Sequence, residues 1–291
     1  MQFSDINTVK KAVFNRPDDA NKGTLGSLLC ICGCYGMAGA AIMAGKSALR
    51  CGLGLLKTAL PKSIYPIAAS QILESVYFPL DETSKGKTAA SNLDFLLEEA
   101  DKSSAVLIGC GLSVCDDTKL IVNSFIENCK KPMILDADAL NCICENTDVL
   151  KSAKAPIIIT PHPGEMARLV DLSAKQVNQN RELTAKSFAK KFGVVTVLKG
   201  AGTVIASPDG RILINPTGNS GMATGGSGDV LAGMTASLVA QGAELFEAAS
   251  AAVYLHGLAG DIAAEKLGKI SMLPTDLIDC IPLAYERCKI N

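Results

Sequence analysis

Asn215-Pro-Thr-Gly-Asn-Ser-Gly-Met-Ala-Thr-Gly-Gly-Ser-Gly-Asp-Val-Leu-Ala-Gly233 is a run of small residues that opens an uncharged, helix-like segment at Val230. Glycine lets a ligand approach the main chain closely. A Gly, Ser and Thr run at a helix start presents unpaired N–H groups to an anion, and the helix dipole favours negative charge at the same place. Asp229 stands at the mouth of that site. A carboxylate beside a phosphate cradle is unfavourable unless it acts. General base catalysis, taking a proton from a hydroxyl that attacks phosphorus, is the action that fits. The alternative is a glycine-rich turn with Asp229 as an ordinary helix N-cap. The density of small residues exceeds what a turn requires.

Downstream, the helix is expected to run to about Gln241, where Gly242 stops it. A long small-residue helix follows over Glu247–Lys266, with His256 read as a core or helix-surface residue. Thr275–Arg287 reads as a closing helix. Upstream, Val204–Ser207 and Arg211–Ile214 read as a hairpin turning at Asp209-Gly210. Before it, the β-branched strand Val194–Leu198 ends in Lys199-Gly-Ala-Gly-Thr203. One cation with glycines at a strand end suits a nucleotide phosphate or ribose; a turn with a solvated lysine is the alternative.

Earlier strands end in the same fashion. Pro156–Thr160 delivers Thr160-Pro-His162-Pro-Gly164-Glu165, a histidine held between two prolines, and Glu165 opens the next helix. Met133–Leu135 runs into Asp136-Ala-Asp138, carboxylates that suit either Mg2+ held through water and phosphate or helix capping. Ala105–Ile108 enters Gly109-Cys-Gly-Leu-Ser113, a close-approach loop or a tight turn. Leu28–Cys32 is a buried strand, Gly33–Gly39 a loop ordered G-x-x-G-x-x-G, and Ala40–Cys51 a helix. The spacing also predicts strands at Leu53–Ala59 and Ile64–Ala68, and a polar surface segment at Glu74–Lys87. Helices are expected near Ile6–Phe14 and over Asn92–Lys102, Thr118–Cys129 and Lys175–Phe192.

Strands thus alternate with helices from Leu28 to about Val239, which predicts an α/β fold with a largely parallel sheet between helical layers, as one domain over residues 1–291. A chain of 291 residues with 48% hydrophobic residues can bury a large core. Its net charge of −1, with dispersed Lys and Arg, gives no footprint for nucleic acid. The 11 cysteines follow no secretory pattern, so free thiols in a reducing cytoplasm are expected. Cys30, Cys32 and Cys34 fall on one strand face and read as buried small hydrophobes rather than metal ligands. Thr24–Gly45 is uncharged for 22 residues, but its glycines favour a buried strand, turn and helix over a membrane span.

Gly-Gly-Ser-Gly-Asp229 followed by Val-Leu-Ala-Gly resembles the anion-hole signature of the ribokinase-like superfamily. The longer Asn219–Asp229 segment, with Asp-Ala-Asp138 and Pro-His-Pro-Gly-Glu165, resembles the ADP/ATP-dependent NAD(P)H-hydrate dehydratases. The resemblance covers about residues 20 to 290 and implies a three-layer α/β/α fold. It implies hydrated NADH or NADPH as substrate, in contact with Ala40, Ala41, Gly111, His162 and Asp229. It implies ADP or ATP as co-substrate, with Mg2+. The nucleotide would lie against Lys199, Gly200, Ala201, Gly202 and Thr203, and against Gly225, Gly226, Ser227 and Gly228. Glu165 would lie near the phosphates or the metal. Asn21, Cys34, Tyr35 and Ser113 depart from the family pattern. A homo-oligomer is implied, with a tetramer as the expectation, along with a separate epimerase protein, since no room remains here for that domain. Two other readings are a small-molecule kinase of the hydroxymethylpyrimidine or hydroxyethylthiazole type and a non-catalytic nucleotide-binding regulator.

Overall fold

A computed structural model describes residues 2–13, 16 and 18–290. Strands β1 (Ser27–Ile31), β2 (Leu55–Pro61) and β3 (Val76–Leu80) come first, then β4 (Ala105–Ile108), β5 (Met133–Leu135), β6 (Ile157–Ile159) and β7 (Val195–Leu198). The hairpin strands β8 (Val204–Ala206) and β9 (Ile212–Ile214) complete a nine-stranded sheet in the order β3-β2-β1-β4-β5-β6-β7-β8-β9. The first seven strands are parallel, and β8 and β9 are antiparallel. Successive strands build outward from β1 in one direction and then, from β4, in the other. In such sheets ligands bind beyond the carboxyl ends, where the order reverses.

The helices are α1 (Ile6–Ala12), α2 (Ala38–Arg50), α3 (Tyr65–Ala69), α4 (Leu93–Asp101), α5 (Asp116–Asn128) and α6 (Asp138–Ile143). After them come α7 (Pro163–Val170), α8 (Ala174–Gln179), α9 (Arg181–Phe192), α10 (Ser227–Ala240), α11 (Leu245–Leu267) and α12 (Pro274–Arg287). Residue alternation along the strands divides the core in two, as a pleat of period two requires. Leu28, Cys30 and Leu107 pack with α1, α2, α10, α11 and α12 on one face. Leu29, Ile31, Val106 and Ile108 pack with α4, α5, α7 and α9 on the other. The result is the expected three-layer α/β/α architecture. No helix among the described residues is long and apolar enough to cross a membrane. The uncharged stretch at 24–45 resolves into β1, a glycine loop and the first half of α2.

Several expectations need correction. Ile64–Ala68 is not a strand: a 3-10 turn at Lys62–Ile64 leads into α3. Pro66 sits in the first turn of α3, where its missing N–H costs nothing. Ile64, Ala68 and Ile72 are the buried positions, a helical spacing hidden in a short apolar run. Glu74–Lys87 is not all surface loop, because β3 lies within it. As the outermost strand, β3 is half-exposed and tolerates Pro79, so neither alternation nor hydrophobicity reveals it. Lys175–Phe192 is two helices, broken at Asn180. Phe14, the expected end of the first helix, lies outside the described residues. Gln2–Ser4 lies along β9, where Ser4 N donates to Ile214 O at 3.1 Å and Ile214 N to Gln2 O at 3.0 Å.

Helix α10 carries one charge, Asp229, and is buried along nearly its whole length between α2 and α11. Gly233 permits the close approach to α2. A Cβ there would overlap the Ala44 carbonyl and Ser47 Oγ. Gly233→Ala is therefore expected to destabilise the fold by about 3 kcal/mol, the upper end of overpacking costs. Urea unfolding would measure it, and a loss below about 1 kcal/mol would mean that the helices part without strain.

Candidate active site

Four consecutive strands end in polar side chains that meet. Cys110 follows β4, Asp136 follows β5, Thr160 follows β6 and Lys199 follows β7. Asp136 is 1% exposed. Its Oδ1 accepts from Lys199 Nζ at 2.6 Å and from Thr160 Oγ1 at 2.7 Å. Its Oδ2 faces Cys110 Sγ at 3.6 Å. Asp136 is therefore neither a cap nor a bare carboxylate. Asp138 opens α6 and accepts the Ser113 amide at 2.7 Å, fixing the end of the Gly109–Ser113 loop. The two sides of the strand-order reversal are joined by Gly33 N donating to Cys110 O at 2.8 Å.

His162 and Glu165 form a reciprocal cap on α7. His162 Nδ1 accepts from Gly164 N at 2.9 Å and Glu165 N at 3.3 Å, while Glu165 Oε2 accepts from His162 N at 2.7 Å. With Nδ1 an acceptor, the neutral ring carries its proton on Nε2, which faces Glu165 Oε1 at 3.4 Å. Glu165 Oε2 also lies 3.8 Å from Lys199 Nζ. Burial raises the Glu165 pKa, against the pull of Lys199. For Lys199, burial opposes the charge, but Asp136 and Glu165 outweigh it and hold the ammonium above its usual range.

At the start of α10, Gly226 is the N-cap with φ +103°, a conformation only glycine adopts without strain. Ser227 N donates to Thr224 O at 3.2 Å. Among the described residues no backbone carbonyl outside the helix takes the amides of Gly228 and Asp229, and the helix itself cannot reach them. A Cβ on Gly228 would lie 3.3 Å from Lys199 Nζ, so the ammonium sits against the same cradle. A helix N-terminus, free amides and a buried cation converge there. Asp229, also in this first turn, has its pKa raised to about 6 by burial and then by the charge of Asp136. The Cys110 thiol and Lys199 partly offset that rise.

The other expected positions divide. A Cβ on Gly111 would come 2.8 Å from Ala40 Cβ, so these two residues share one wall. Ala41 is fully buried, backbone included, so the structure does not place this expected contact on an open wall. Gly200–Thr203 forms a loop held by Arg181, whose guanidinium donates to Leu198 O at 2.8 Å and Ala201 O at 3.1 Å. Gly225 is open, with nothing near its absent side chain.

Sequence reasoning missed four contributors. Arg181 was hidden inside the supposed continuous helix, and the break at Asn180 puts it at the start of α9. Thr160 lay inside a quoted motif, yet nothing in a single sequence pairs it with Asp136. Asp261 accepts from Gly218 N at 2.9 Å and Asn219 Nδ2 at 3.0 Å, anchoring the loop before α10. His256, expected to be a core residue, is buried, and its Nε2 lies 3.0 Å from Ser227 O. A carbonyl only accepts, so that nitrogen carries the proton. Burial lowers the His256 pKa to about 4, and the ring stays neutral.

A buried cation, a helix N-terminus and a carboxylate of raised pKa thus converge beyond the carboxyl ends of the strands of a three-layer α/β/α scaffold. Residues 28–283 match the family model described as NAD(P)H-hydrate dehydratase. The chain belongs to this family, and its fold is ribokinase-like. It is 34% identical over 280 residues to the ADP-dependent (S)-NAD(P)H-hydrate dehydratase of Bacillus subtilis, covering 96% of each chain. It is 42% identical over 272 residues to the bifunctional NAD(P)H-hydrate repair enzyme Nnr of Moorella thermoacetica, which covers 94% of this chain. The chain spans 51% of that relative, about half its length. Among solved structures, the Bacillus subtilis ADP/ATP-dependent NAD(P)H-hydrate dehydratase co-crystallised with ATP and Mg2+ superimposes with a TM-score of 0.83. That match has 31% sequence identity and covers 99% of this chain and 98% of the other.

Proposed function

We propose that this chain restores NAD(P)H from the S epimer of its hydrate, using ADP or ATP to phosphorylate the ring hydroxyl and then expelling phosphate. The observation that carries the reading is the convergence of Lys199 Nζ, the α10 N-terminus and an Asp229 carboxylate with a pKa near 6. Asp229 takes the hydroxyl proton as the oxygen–phosphorus bond forms and the bond to the departing nucleotide breaks. The amides of Gly228 and Asp229, with Lys199, hold the charge on the phosphoryl oxygens. The carbon–oxygen bond then breaks, phosphate leaves, and loss of a ring proton restores the double bond. Phosphorylation turns a poor leaving group into a good one.

Gly225, Gly226, Ser227 and Gly228 cradle the phosphates in this reading, and the Arg181-supported loop Lys199–Thr203 lies against the rest of the nucleotide. Ala40 and Gly111 form the wall for the hydrated nicotinamide, with Ala41 buried behind them and the rigid His162 ring offering Nε2–H. His256 keeps Ser227 in place. The donor chemistry fits Mg2+ carried mainly by the phosphates. Asp136 and Glu165 are oxygen donors, but both share Lys199 and Glu165 also caps α7, so they would hold the ion through its waters. When bound, Mg2+ would neutralise phosphate charge. A homo-oligomer, a cytoplasmic setting and a separate epimerase that supplies the S form complete the proposal.

The test is incubation with hydrated NADH and each nucleotide in turn. Free phosphate together with regained absorbance of the reduced nicotinamide is expected. A stable phosphorylated product would instead mark a small-molecule kinase, and no nucleotide-dependent turnover of any substrate would mark a regulator.

A further inference from the structure

We propose that Cys110, Asp136 and Asp229 form a binding site for a thiophilic divalent cation such as Zn2+ or Cd2+, at which the ion blocks the catalytic centre. Three separate segments supply the donors: the loop after β4, the loop after β5 and the first turn of α10. One ligand atom from each lies within 4.8 Å of the other two. The best-defined edge is Cys110 Sγ to Asp136 Oδ2, at 3.6 Å. Zn–S near 2.3 Å and Zn–O near 2.1 Å at a tetrahedral angle put those two atoms about 3.6 Å apart. That 3.6 Å edge is the hydrogen bond from the Cys110 thiol to Asp136, so exchanging its proton for the ion needs little movement along it.

The charge arrangement also fits. Lys199 and Thr160 both occupy Oδ1 of Asp136, which leaves Oδ2 facing the thiol. An ion can therefore enter without breaking the Asp136–Lys199 pair. A thiolate and two carboxylates are then balanced by the ion and the neighbouring ammonium. The Cys32 thiol, then burial, keep Cys110 protonated in the free protein. Binding must accordingly displace that proton to solvent as the sulfur–metal bond forms, and no oxidation or reduction occurs. Mg2+ gains nothing from sulfur, so it leaves Cys110 unligated.

Occupation removes the carboxylate that acts as base in the proposed function, so the inhibitory consequence rests on that reading, whereas the binding does not. The test uses Co2+ with the full chain, a thiol-free reductant and no nucleotide. The thiolate-to-cobalt charge-transfer band reports sulfur ligation directly. The wild-type chain is expected to develop this band saturably, with Zn2+ displacing Co2+. Cys110→Ser should abolish the band, with Cys110→Ala as the substitute if serine disturbs folding. Asp229→Asn should keep the band but weaken binding at least about tenfold. No band in the wild type would overturn the site. A band of unchanged intensity and affinity in both Cys110 variants would overturn it too, since other cysteines would then be the ligands. In turnover assays, Zn2+ should inhibit the wild type reversibly, with removal by a chelator restoring the rate. Cys110→Ser, scored against its own metal-free rate, should need about tenfold more Zn2+. A Cys110-dependent band without inhibition would support the site and count against Asp229 as the base.

Discussion

Asparagine at position 229 is expected to lower turnover by about 10^2- to 10^4-fold, the range that removal of a general base covers, while nucleotide still binds. The Asp229 carboxyl is held near pH 6 by burial and the Asp136 charge, so in the wild type it is mostly ionised at neutral pH. With the ionised form as the proposed base, kcat/KM should fall as pH drops through about 6, and this acid limb should vanish in Asp229→Asn. The stability effect has the opposite sign. A raised carboxyl pKa means that the folded chain binds more proton than the unfolded one between pH 3.8 and about 6, so stability falls as pH rises across that window. Neutralising the group should therefore leave Tm equal or higher at pH 7. A mutant with near-normal kcat would remove the assigned base, and one with a collapsed Tm would make the position structural.

Lys199→Met carries the second large effect, on both stability and binding. The ammonium lies 2.6 Å from Asp136 and 3.8 Å from Glu165, with its side chain 17% exposed. Removing one partner of a buried pair leaves charge uncompensated, which costs about 3–5 kcal/mol. The cation beside Gly228 is lost at the same time, so nucleotide binding should weaken sharply. Adding Asp136→Asn separates the two effects: stability should largely return, and affinity should not. Chemical denaturation and nucleotide titration read them independently. A single mutant within about 1 kcal/mol of the wild type would mean that the pair is not isolated from solvent.

Much of this arrangement was legible because strand ends with glycines, and carboxylates beside them, leave marks in the chain itself. The α10 start, the Lys199 loop and the Pro-His-Pro-Gly-Glu turn are local features of this kind. What escaped depends on partners far apart in sequence. Asp136 and Lys199 are 63 residues apart, and the carboxylate could be read as cap or metal ligand only while that pairing was unknown. His256 had the helical spacing of a core residue and is one, yet the carbonyl it meets is that of Ser227 at the α10 start. Two of the misread segments, α3 and β3, are short, and their few residues carry too little periodicity to separate turn, strand and helix; the third, Lys175–Phe192, hid the break at Asn180 within a helical pattern.

The two margins of the sheet are unlike. Along β9 the chain supplies its own stopper, because Gln2–Ser4 lies there and exchanges hydrogen bonds with Ile214. Beside β3 no further strand is paired among the described residues, and Pro79 deprives that margin of one donor. Lengthening of the sheet by a second polypeptide thus has a single place to begin, and proline caps how far it can zip.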